Sequence, residues 1–442
     1  MGLSGLDIYK QLPKKNCGEC GPPTCLAFAM SLAAGKAALD ACPYVSDEAR
    51  ENLASAAAPP IRLVTVGAGD AAVEMGDETV SFRHEKTFVH PTGIFIEVSD
   101  DLSPEEVSAR LEQIQGLVFE RVGMEYAIDG LAIANRSGDA QRFLDVAKEA
   151  QGLGKPLVLM AEPGVLEGAL PALAEGKPLL YAATQDNFEA MTELAKKHEC
   201  PLAVLGDGLD TTAELAKKIA ALGHKDLILD TGNRELPQAI RDLTQIRRHA
   251  LKKFRPLGYP AMAFTTAEDP EAEMVEATAL IAKYAGLLVI KADTVSQLLP
   301  LLSWRQNLYT DPQKPIQVKA GVYEVGEVSS QSPVYVTTNF SLTYYSVEGE
   351  VQASKIPAYI IAVDTEGTSV LTAWAAGKLT SEAVAEILDK EGMADKVENQ
   401  RVVLPGHVAV LSGKLKELSG WEVMVGPREA SGIPSFAKSK FA

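Results

Sequence analysis

Between residues 94 and 291 the chain repeats one pattern. A short, almost unbroken apolar run is followed by a polar turn and then by a stretch with apolar positions every three or four residues. Eight such runs occur, at 94–98 (IFIEV), 130–134 (GLAIA), 157–161 (LVLMA), 179–183 (LLYAA), 202–206 (LAVLG), 226–230 (DLILD), 261–265 (AMAFT) and 287–291 (LLVIK). Segments such as Asp139–Gln151, Asn187–Lys197, Thr211–Leu222 and Leu236–Phe254 separate them and read as amphipathic helices. Apolar runs without polar alternation predict strands buried on both faces, so the sheet is parallel and covered by its connecting helices. Eight such units predict a TIM barrel, with an open doubly wound sheet as the alternative topology. Ahead of the barrel, Ile61–Val66 and Thr79–Phe82 predict a small hairpin.

A second strand–helix alternation follows. The strands are Val334–Thr338, Ala358–Val363, Val402–Leu404 and Trp421–Val425, and the helices run over 341–351, Val370–Ala376, Ser381–Asp389 and Val408–Leu418. This predicts a small doubly wound domain whose ligand crevice lies beyond the C-terminal strand ends. The stretch between the two regions is rich in Pro, Gly and charge and reads as a connector. At the N-terminus, Ser4-Gly5-Leu6-Asp7 predicts a capped short helix, Ser46-Asp47-Glu48 starts another through Leu53, and Ala54–Pro60 reads as a linker. The predicted α/β architecture is therefore a small module at 1–58, a TIM (β/α)8 barrel at 59–310, a linker at 311–330 and a doubly wound α/β domain at 331–442. Both linkers would let their domains swing.

Composition narrows the partners. The hydrophobic content of 46% supplies ample core, and the net charge of −17 opposes binding to nucleic acid or to an anionic membrane surface. The opening MGLSGLDIYKQLPKK lacks the apolar core of a signal peptide, and no apolar run reaches the roughly 18 residues of a membrane span. The expected location is the cytoplasm.

Cysteine usage points to chemistry. Four of the five cysteines, Cys17, Cys20, Cys25 and Cys42, lie within 26 residues in the spacing C-x2-C-x4-C-x16-C. Gly18, Gly21, Pro22 and Pro23 force a tight loop whose N–H groups stay available, and Thr24 is placed to cap a helix opening at Cys25. Structural zinc usually takes two separated C-x2-C pairs. Three close cysteines and one remote one suit three corners of an iron–sulfur cubane plus a distant fourth; zinc and disulfides are the competing readings. Lys14 and Lys15 precede the loop and either offset thiolate charge or are simply solvated. Cys200, just before a strand, reads as a core residue.

The barrel strand ends carry Asn135, Arg136, Glu162, Asp186, Asp207, Asp230 and Asp293. That is the active-site face of a TIM barrel, although one polar residue per loop is also ordinary. The strand ends of the C-terminal domain instead carry Thr, Ser, Asn and Gly, which suit a large neutral or phosphate-bearing ligand approached by backbone, or serve only as helix caps. Neither G-x-x-x-x-G-K-[ST] nor G-x-G-x-x-G occurs there, so an ATP or NAD site has no support.

The cysteine set, a barrel and a terminal α/β domain in this order resemble the large subunit of the corrinoid iron–sulfur protein of the anaerobic acetyl-CoA (Wood–Ljungdahl) pathway, over the whole chain. The resemblance implies that Cys17, Cys20, Cys25 and Cys42 ligate a 4Fe–4S cluster. It implies a cobalamin between the C-terminal domain and a small partner subunit that is itself a barrel. None of His84, His90, His198, His224, His249 and His407 stands in the D-x-H-x-x-G motif, so the corrinoid is expected base-off, without a histidine on cobalt; His407 reads as a loop or capping residue. The implied function is a methyl carrier. Co(I) accepts a methyl group from methyltetrahydrofolate held by a separate methyltransferase and donates it to acetyl-CoA synthase/CO dehydrogenase, and the cluster re-reduces Co(II). The expected corrin contacts are Thr338, Asn339, Phe340, Ser346, Thr368, Ser369, Val370, Leu371, Thr372, Gly406, Gly432 and Ile433, with Thr368 or Thr372 nearest cobalt in place of an axial base. Two rival readings remain: a pterin-binding barrel methyltransferase using Asn135 and Asp207, and a simple iron–sulfur electron carrier.

Overall fold

The structure is a computed structural model that describes residues 5–34, 36–46, 49–50, 53, 59–121, 123–311 and 315–441. It divides into two units, Met1–Leu117 with Ile128–Tyr309, and Val118–Ala127 with Thr310–Ala442.

In the first unit, helices Gly5–Gln11 and Cys25–Ala33 pack through Ile8, Leu12, Phe28 and Ala29, together with Val45, Ala49 and Leu53. The expected cap residue Ser4, the acidic pair Asp47 and Glu48, and the alanine-rich 54–58 lie outside the described residues. Ser46 acts as a cap: its Oγ accepts the Ala49 N–H at 3.1 Å. Pro59 is anchored, because its carbonyl accepts Arg255 Nη1 at 2.8 Å.

The hairpin forms from β1 (Val64–Val66) and β2 (Val73–Met75), paired Val64 to Met75 and Val66 to Val73. The sequence predicted its second strand six residues later, at Thr79–Phe82, which is not a strand. The turn closes early because Gly67 and Gly69 adopt φ of +97° and +67°. Val64, Val66 and Met75 then plug one end of the barrel against Phe95, Ala132, Val158 and Ile228.

The barrel strands are β3 (Gly93–Ser99), then, after β4 (Val118–Arg121) and β5 (Met124–Ala127), β6 (Gly130–Ala134), β7 (Leu157–Met160), β8 (Leu179–Ala183), β9 (Leu202–Leu205), β10 (Leu227–Asp230), β11 (Ala261–Phe264) and β12 (Ala285–Ile290). Each barrel strand pairs in parallel with the next, and β12 closes on β3. All eight predicted runs are strands, and β6 is buried along its length as a two-sided parallel strand must be. The antiparallel pair β4–β5, grouped with the second unit, has no counterpart in the prediction, although VFER and MEYA carry a strand-like alternation.

The second unit holds a sheet in the order β13 (Gly321–Val325), β15 (Ala358–Val363), β14 (Val334–Thr338), β16 (Arg401–Leu404), β17 (Glu422–Val425). All pairs are parallel except β13 with β15. The expected linker 311–330 is therefore corrected: part of it is an edge strand. Residues 315–318 are bound in as well, with Val318 N donating to Asn339 O and Ser341 N to Ile316 O. Val322, Tyr323 and Val325 pack on this unit's core, an apolar signal outweighed in the sequence by the surrounding Pro, Gly and charge.

Gly130 is tightly constrained in the barrel wall. A Cβ there would sit 2.1 Å from a Phe95 ring carbon and 2.6 Å from the Pro156 carbonyl oxygen. Gly130→Ala should cost about 1–3 kcal/mol of barrel stability by overpacking. Phe95→Leu in that background should recover part of the loss in thermal unfolding, whereas Phe95→Leu alone should destabilise.

Candidate functional site

The chain carries polar chemistry in three places. The first is the cysteine loop. Gly18 and Gly21 sit at φ of +77° and +99°, with the Gly21 N–H bonded to the Gly18 carbonyl at 3.0 Å. Thr24 caps the helix opening at Cys25, its Oγ1 accepting the Ala27 N–H at 3.1 Å. Asn16 fixes the loop to that helix: its Oδ1 accepts the Cys25 N–H at 2.8 Å, and its own N–H points at Cys25 Sγ at 3.4 Å. Cys25 and Cys42 are buried, Cys20 is half-buried and Cys17 is exposed. Burial pushes the Cys20 thiol up; its backbone N–H opposes this, and the neighbouring Cys42, Cys17 and Cys25 add to the rise. The charges of Cys42, Cys17 and Cys25 thus act against ionisation of Cys20, an effect a positive metal centre would relieve. Among the described residues no three His, Cys, Asp or Glu side chains are grouped as a site for a metal ion. Cys200 stands apart; it is buried, and burial pushes its thiol up to about 12.

The second place is the barrel's strand-end face. Here polar groups satisfy one another. Asp230 Oδ2 accepts Tyr181 Oη at 2.9 Å and Arg234 Nη2 at 2.8 Å, while its Oδ1 accepts Arg234 Nη1 at 2.9 Å. Arg234 also stacks over Phe264 at 4.6 Å. Asp293 pairs with Arg110, and Arg136 with Glu97. Asn135 is committed to the buried Asp100, donating from Nδ2 at 2.6 Å. Glu162, Asp186 and Asp207 are at the surface. Burial works to raise the Asp100 carboxyl, but the N–H of Ser137, the side chains of Asn135 and Ser137, and the N–H of Arg136 together hold it below its ordinary value.

The third place is the C-terminal sheet, where the chain leaves β14 for β15 on one side and later enters β16 on the other. Such a crossover opens a crevice at the strand ends. A cavity of about 370 Å³ lies there, with Tyr335 and Thr337 on β14, Val403 and Leu404 on β16, helix residues Thr343 and Val347, and the loop Gly426–Ala430. Tyr335 Oη and Thr337 Oγ1 are buried without hydrogen-bond partners, as is Thr338 Oγ1. Burial pushes the Tyr335 hydroxyl up to about 12, so it remains a neutral donor. Buried hydroxyls are normally satisfied, and leaving them unmade costs about 1–3 kcal/mol each. Two such groups lie buried in the wall of a cavity that Ser346, Ser369, Arg428 and Glu429 also line, a mixed lining that fits a ligand bringing both apolar surface and acceptors or donors.

The predicted contacts divide. Phe340, Ser346, Ser369, Val370 and Ile433 line the cavity. Asn339 does not: its Oδ1 accepts the Thr365 N–H, the Thr365 hydroxyl and the Gly367 N–H, and its Nδ2 donates to Gln317 and Asp364. It staples the loop after β15. Gly406 and Gly432 are small for packing reasons, since a Cβ would meet Gly426 O at 2.7 Å and Pro427 Cβ at 2.7 Å, respectively. Thr338, Thr368, Leu371 and Thr372 are outside the lining; Thr368 donates to Thr365 O at 2.7 Å, and Thr372 Oγ1 accepts from Ser369 at 3.1 Å. His407 Nε2 is 3.4 Å from Glu429 Oε1 and does not line the cavity. Tyr335 and Thr337 were missed because they lie inside a strand. Their alternation on one face of VYVTT was the available signal.

A thiol-rich module, a closed parallel barrel and a doubly wound unit with a crossover cavity define a three-part α/β protein. Residues 63–437 match the family described as CO dehydrogenase/acetyl-CoA synthase delta subunit, and residues 12–44 match the family described as putative Fe-S cluster. The chain is 59% identical over 445 residues to the corrinoid/iron-sulfur protein large subunit of Moorella thermoacetica, covering 100% of both. It is 37% identical over 451 residues to the acetyl-CoA decarbonylase/synthase complex subunit gamma of Methanothermobacter thermautotrophicus, covering 99% of this chain and 98% of that one. A dihydropteroate synthase structure from Burkholderia cenocepacia aligns at 14% identity and a TM-score of 0.36 over 49% of this chain and 90% of that one, a likeness too low to bear on function. The chain belongs to the family of CO dehydrogenase/acetyl-CoA synthase delta subunits and corrinoid/iron–sulfur protein large subunits. Among its described residues no helix is long and apolar enough to cross a membrane.

The depressed Asp100 carboxyl gives a pH prediction. A lowered folded-state pKa contributes stability that is complete above the unfolded carboxyl value of about 3.9 and is lost as pH falls through the lower folded value. Asp100→Asn should cost about 2 kcal/mol near neutrality. The gap in melting temperature from wild type should close towards acid pH, as calorimetry across pH would record.

Proposed function

We propose that this protein is a methyl carrier of the acetyl-CoA pathway. The observation that carries this reading is the crossover cavity with its two unpartnered hydroxyls, in a chain whose family includes a corrinoid/iron–sulfur large subunit. When bound, a base-off corrinoid would supply a cobalt that takes and gives the methyl group, and a 4Fe–4S cluster would supply the electron that keeps the cobalt in its reactive state.

The chain's residues have separate tasks. Cys17, Cys20, Cys25 and Cys42 would hold the cluster, with the Asn16 N–H directed at one sulfur. Tyr335 and Thr337 would hydrogen-bond the part of the corrinoid that enters the cavity, and Phe340, Val370 and Ile433 would exclude water from it. Asn339 positions the Asp364–Thr368 loop without touching the ligand. Thr368 or Thr372 would stand nearest cobalt, in place of a stronger donor; no histidine is among the cavity's lining residues. The partners of this reading are a small barrel subunit, a methyltetrahydrofolate methyltransferase and acetyl-CoA synthase/CO dehydrogenase. On the barrel's own strand ends Asp230 and Asp293 are paired with arginines and Asn135 is bound to Asp100, so a pterin methyltransferase there would depend on the exposed Asp207.

The test is methyl uptake. The complex of this chain with its small subunit, reduced anaerobically and mixed with methyltetrahydrofolate and the methyltransferase, should gain one methyl group on the corrinoid. Asp207→Asn should leave the rate unchanged, whereas a barrel-borne transferase would lose most of it. Thr337→Val keeps the shape and removes the hydroxyl. It should reduce corrinoid retention by roughly 5- to 10-fold, the loss of about 1–1.5 kcal/mol of hydrogen bonding, without lowering the melting temperature of the corrinoid-free chain.

A further inference from the structure

The loop that carries Cys17 and Cys20 runs from Asn16 to Cys25, and its two ends are joined by a reciprocal pair of hydrogen bonds. Asn16 Oδ1 accepts the Cys25 N–H at 2.8 Å, and the Asn16 N–H donates to Cys25 Sγ at 3.4 Å. The first bond satisfies one of the N–H groups that a helix start leaves without an intrahelical partner. It also fixes residue 16 against residue 25, so the second bond is held in place by the first. Cys25 is only 5% exposed, and a hydrogen bond to a buried atom is electrostatically stronger than one in water.

The residue type suits this task. Asn16 has φ of +51°, in the left-handed region. Glycine, asparagine and aspartate enter that region most readily. Glycine has no side-chain acceptor, and aspartate would bring a negative charge beside the thiols. Of these three, asparagine alone combines the backbone conformation, the acceptor and neutrality. Asn16 is itself exposed, so core packing does not account for it.

We propose that Asn16 is the positioning residue of the cysteine module: its side chain closes the loop on Cys25, and its N–H, held on Cys25 Sγ, raises the reduction potential of the metal centre that this sulfur ligates. This rests on the reading of the four thiols as cluster ligands. A reduced centre carries more negative charge than an oxidised one, so a donor on a ligating sulfur stabilises the reduced form more. Losing that donor lowers the potential. Cys17, Cys20 and Cys25 all lie on the closed loop, so opening it loosens three ligands together.

The experiment uses the cluster- and corrinoid-loaded complex, purified anaerobically, in wild type, Asn16→Gly and Asn16→Asp. Asn16→Gly keeps the left-handed backbone and removes the acceptor, whereas Asn16→Asp keeps both and adds a charge. Iron release is timed against an excess of ferrous chelator, and the potential is read by redox titration with electron paramagnetic resonance. Asn16→Gly should release iron about 5- to 10-fold faster. Its reduction equilibrium should shift about three- to tenfold against the reduced form, about 30–60 mV for one electron. Asn16→Asp should release iron within about twofold of wild type, because the acceptor is restored. With only the asparagine amides carrying the heavy nitrogen isotope, the reduced wild-type complex should show a nitrogen hyperfine coupling that Asn16→Gly lacks. Equal iron release and equal potential in wild type and Asn16→Gly overturn the proposal, as does a wild-type complex without the coupling. Faster iron release at unchanged potential reduces Asn16 to a loop residue and overturns the role of its N–H. Absence of iron from the wild-type complex overturns instead the cluster reading on which the proposal stands.

Discussion

A parallel strand buried on both faces can carry chemistry only where it ends, and the two large parts of this protein apply that constraint in opposite ways. In the barrel the buried strand-end carboxylates are spent on neighbouring polar groups, while Glu162, Asp186 and Asp207 lie at the surface. Asp230 is saturated by Tyr181, Arg234 and the Gly232 N–H, and Asp100 by Asn135, Ser137 and the Arg136 N–H. In the C-terminal sheet the polar groups on β14 are not spent. Tyr335 and Thr337 line the cavity, and their buried hydroxyls have no hydrogen-bond partner. Satisfied networks make scaffold, and unsatisfied ones make a site. By that criterion the crossover of the C-terminal sheet is the stronger candidate for a ligand site.

One amide fixes the shape of that crossover. Asn339 accepts three hydrogen bonds on Oδ1 and donates two from Nδ2, joining the end of β14 to the loop after β15 and to Gln317 on the incoming chain. Gly367 in that loop has φ of +70°, and a Cβ there would sit 2.6 Å from Gln317 Cγ, so a larger residue would be strained. The segment 315–318 therefore belongs to the site's frame.

Strands and barrel were legible because burial on both faces leaves an uninterrupted apolar run, a pattern that survives without any tertiary information. The cysteine module was legible from spacing and loop chemistry alone. What escaped had weaker or misleading local signals. β13 hides in a stretch whose prolines and charges resemble a linker. β4 and β5 are short and only partly buried. At the cavity, residue type pointed to loops that contribute to the lining but not to every lining residue. Asn339 looked like a ligand contact and is a staple, whereas Thr337, one residue before the strand's end, faces the cavity. Hydrogen-bond partners across a sheet are set by the fold, and the sequence of one loop does not encode them.

The most direct test of the account is metal analysis with electron paramagnetic resonance on the anaerobically purified complex of this chain and the proposed small subunit. The account predicts about four irons and one cobalt per complex, an iron–sulfur signal on reduction, and a cobalt signal without hyperfine splitting from an axial nitrogen. Iron without cobalt would contradict the methyl-carrier reading of the crossover cavity, and zinc in place of iron would contradict the cluster as well.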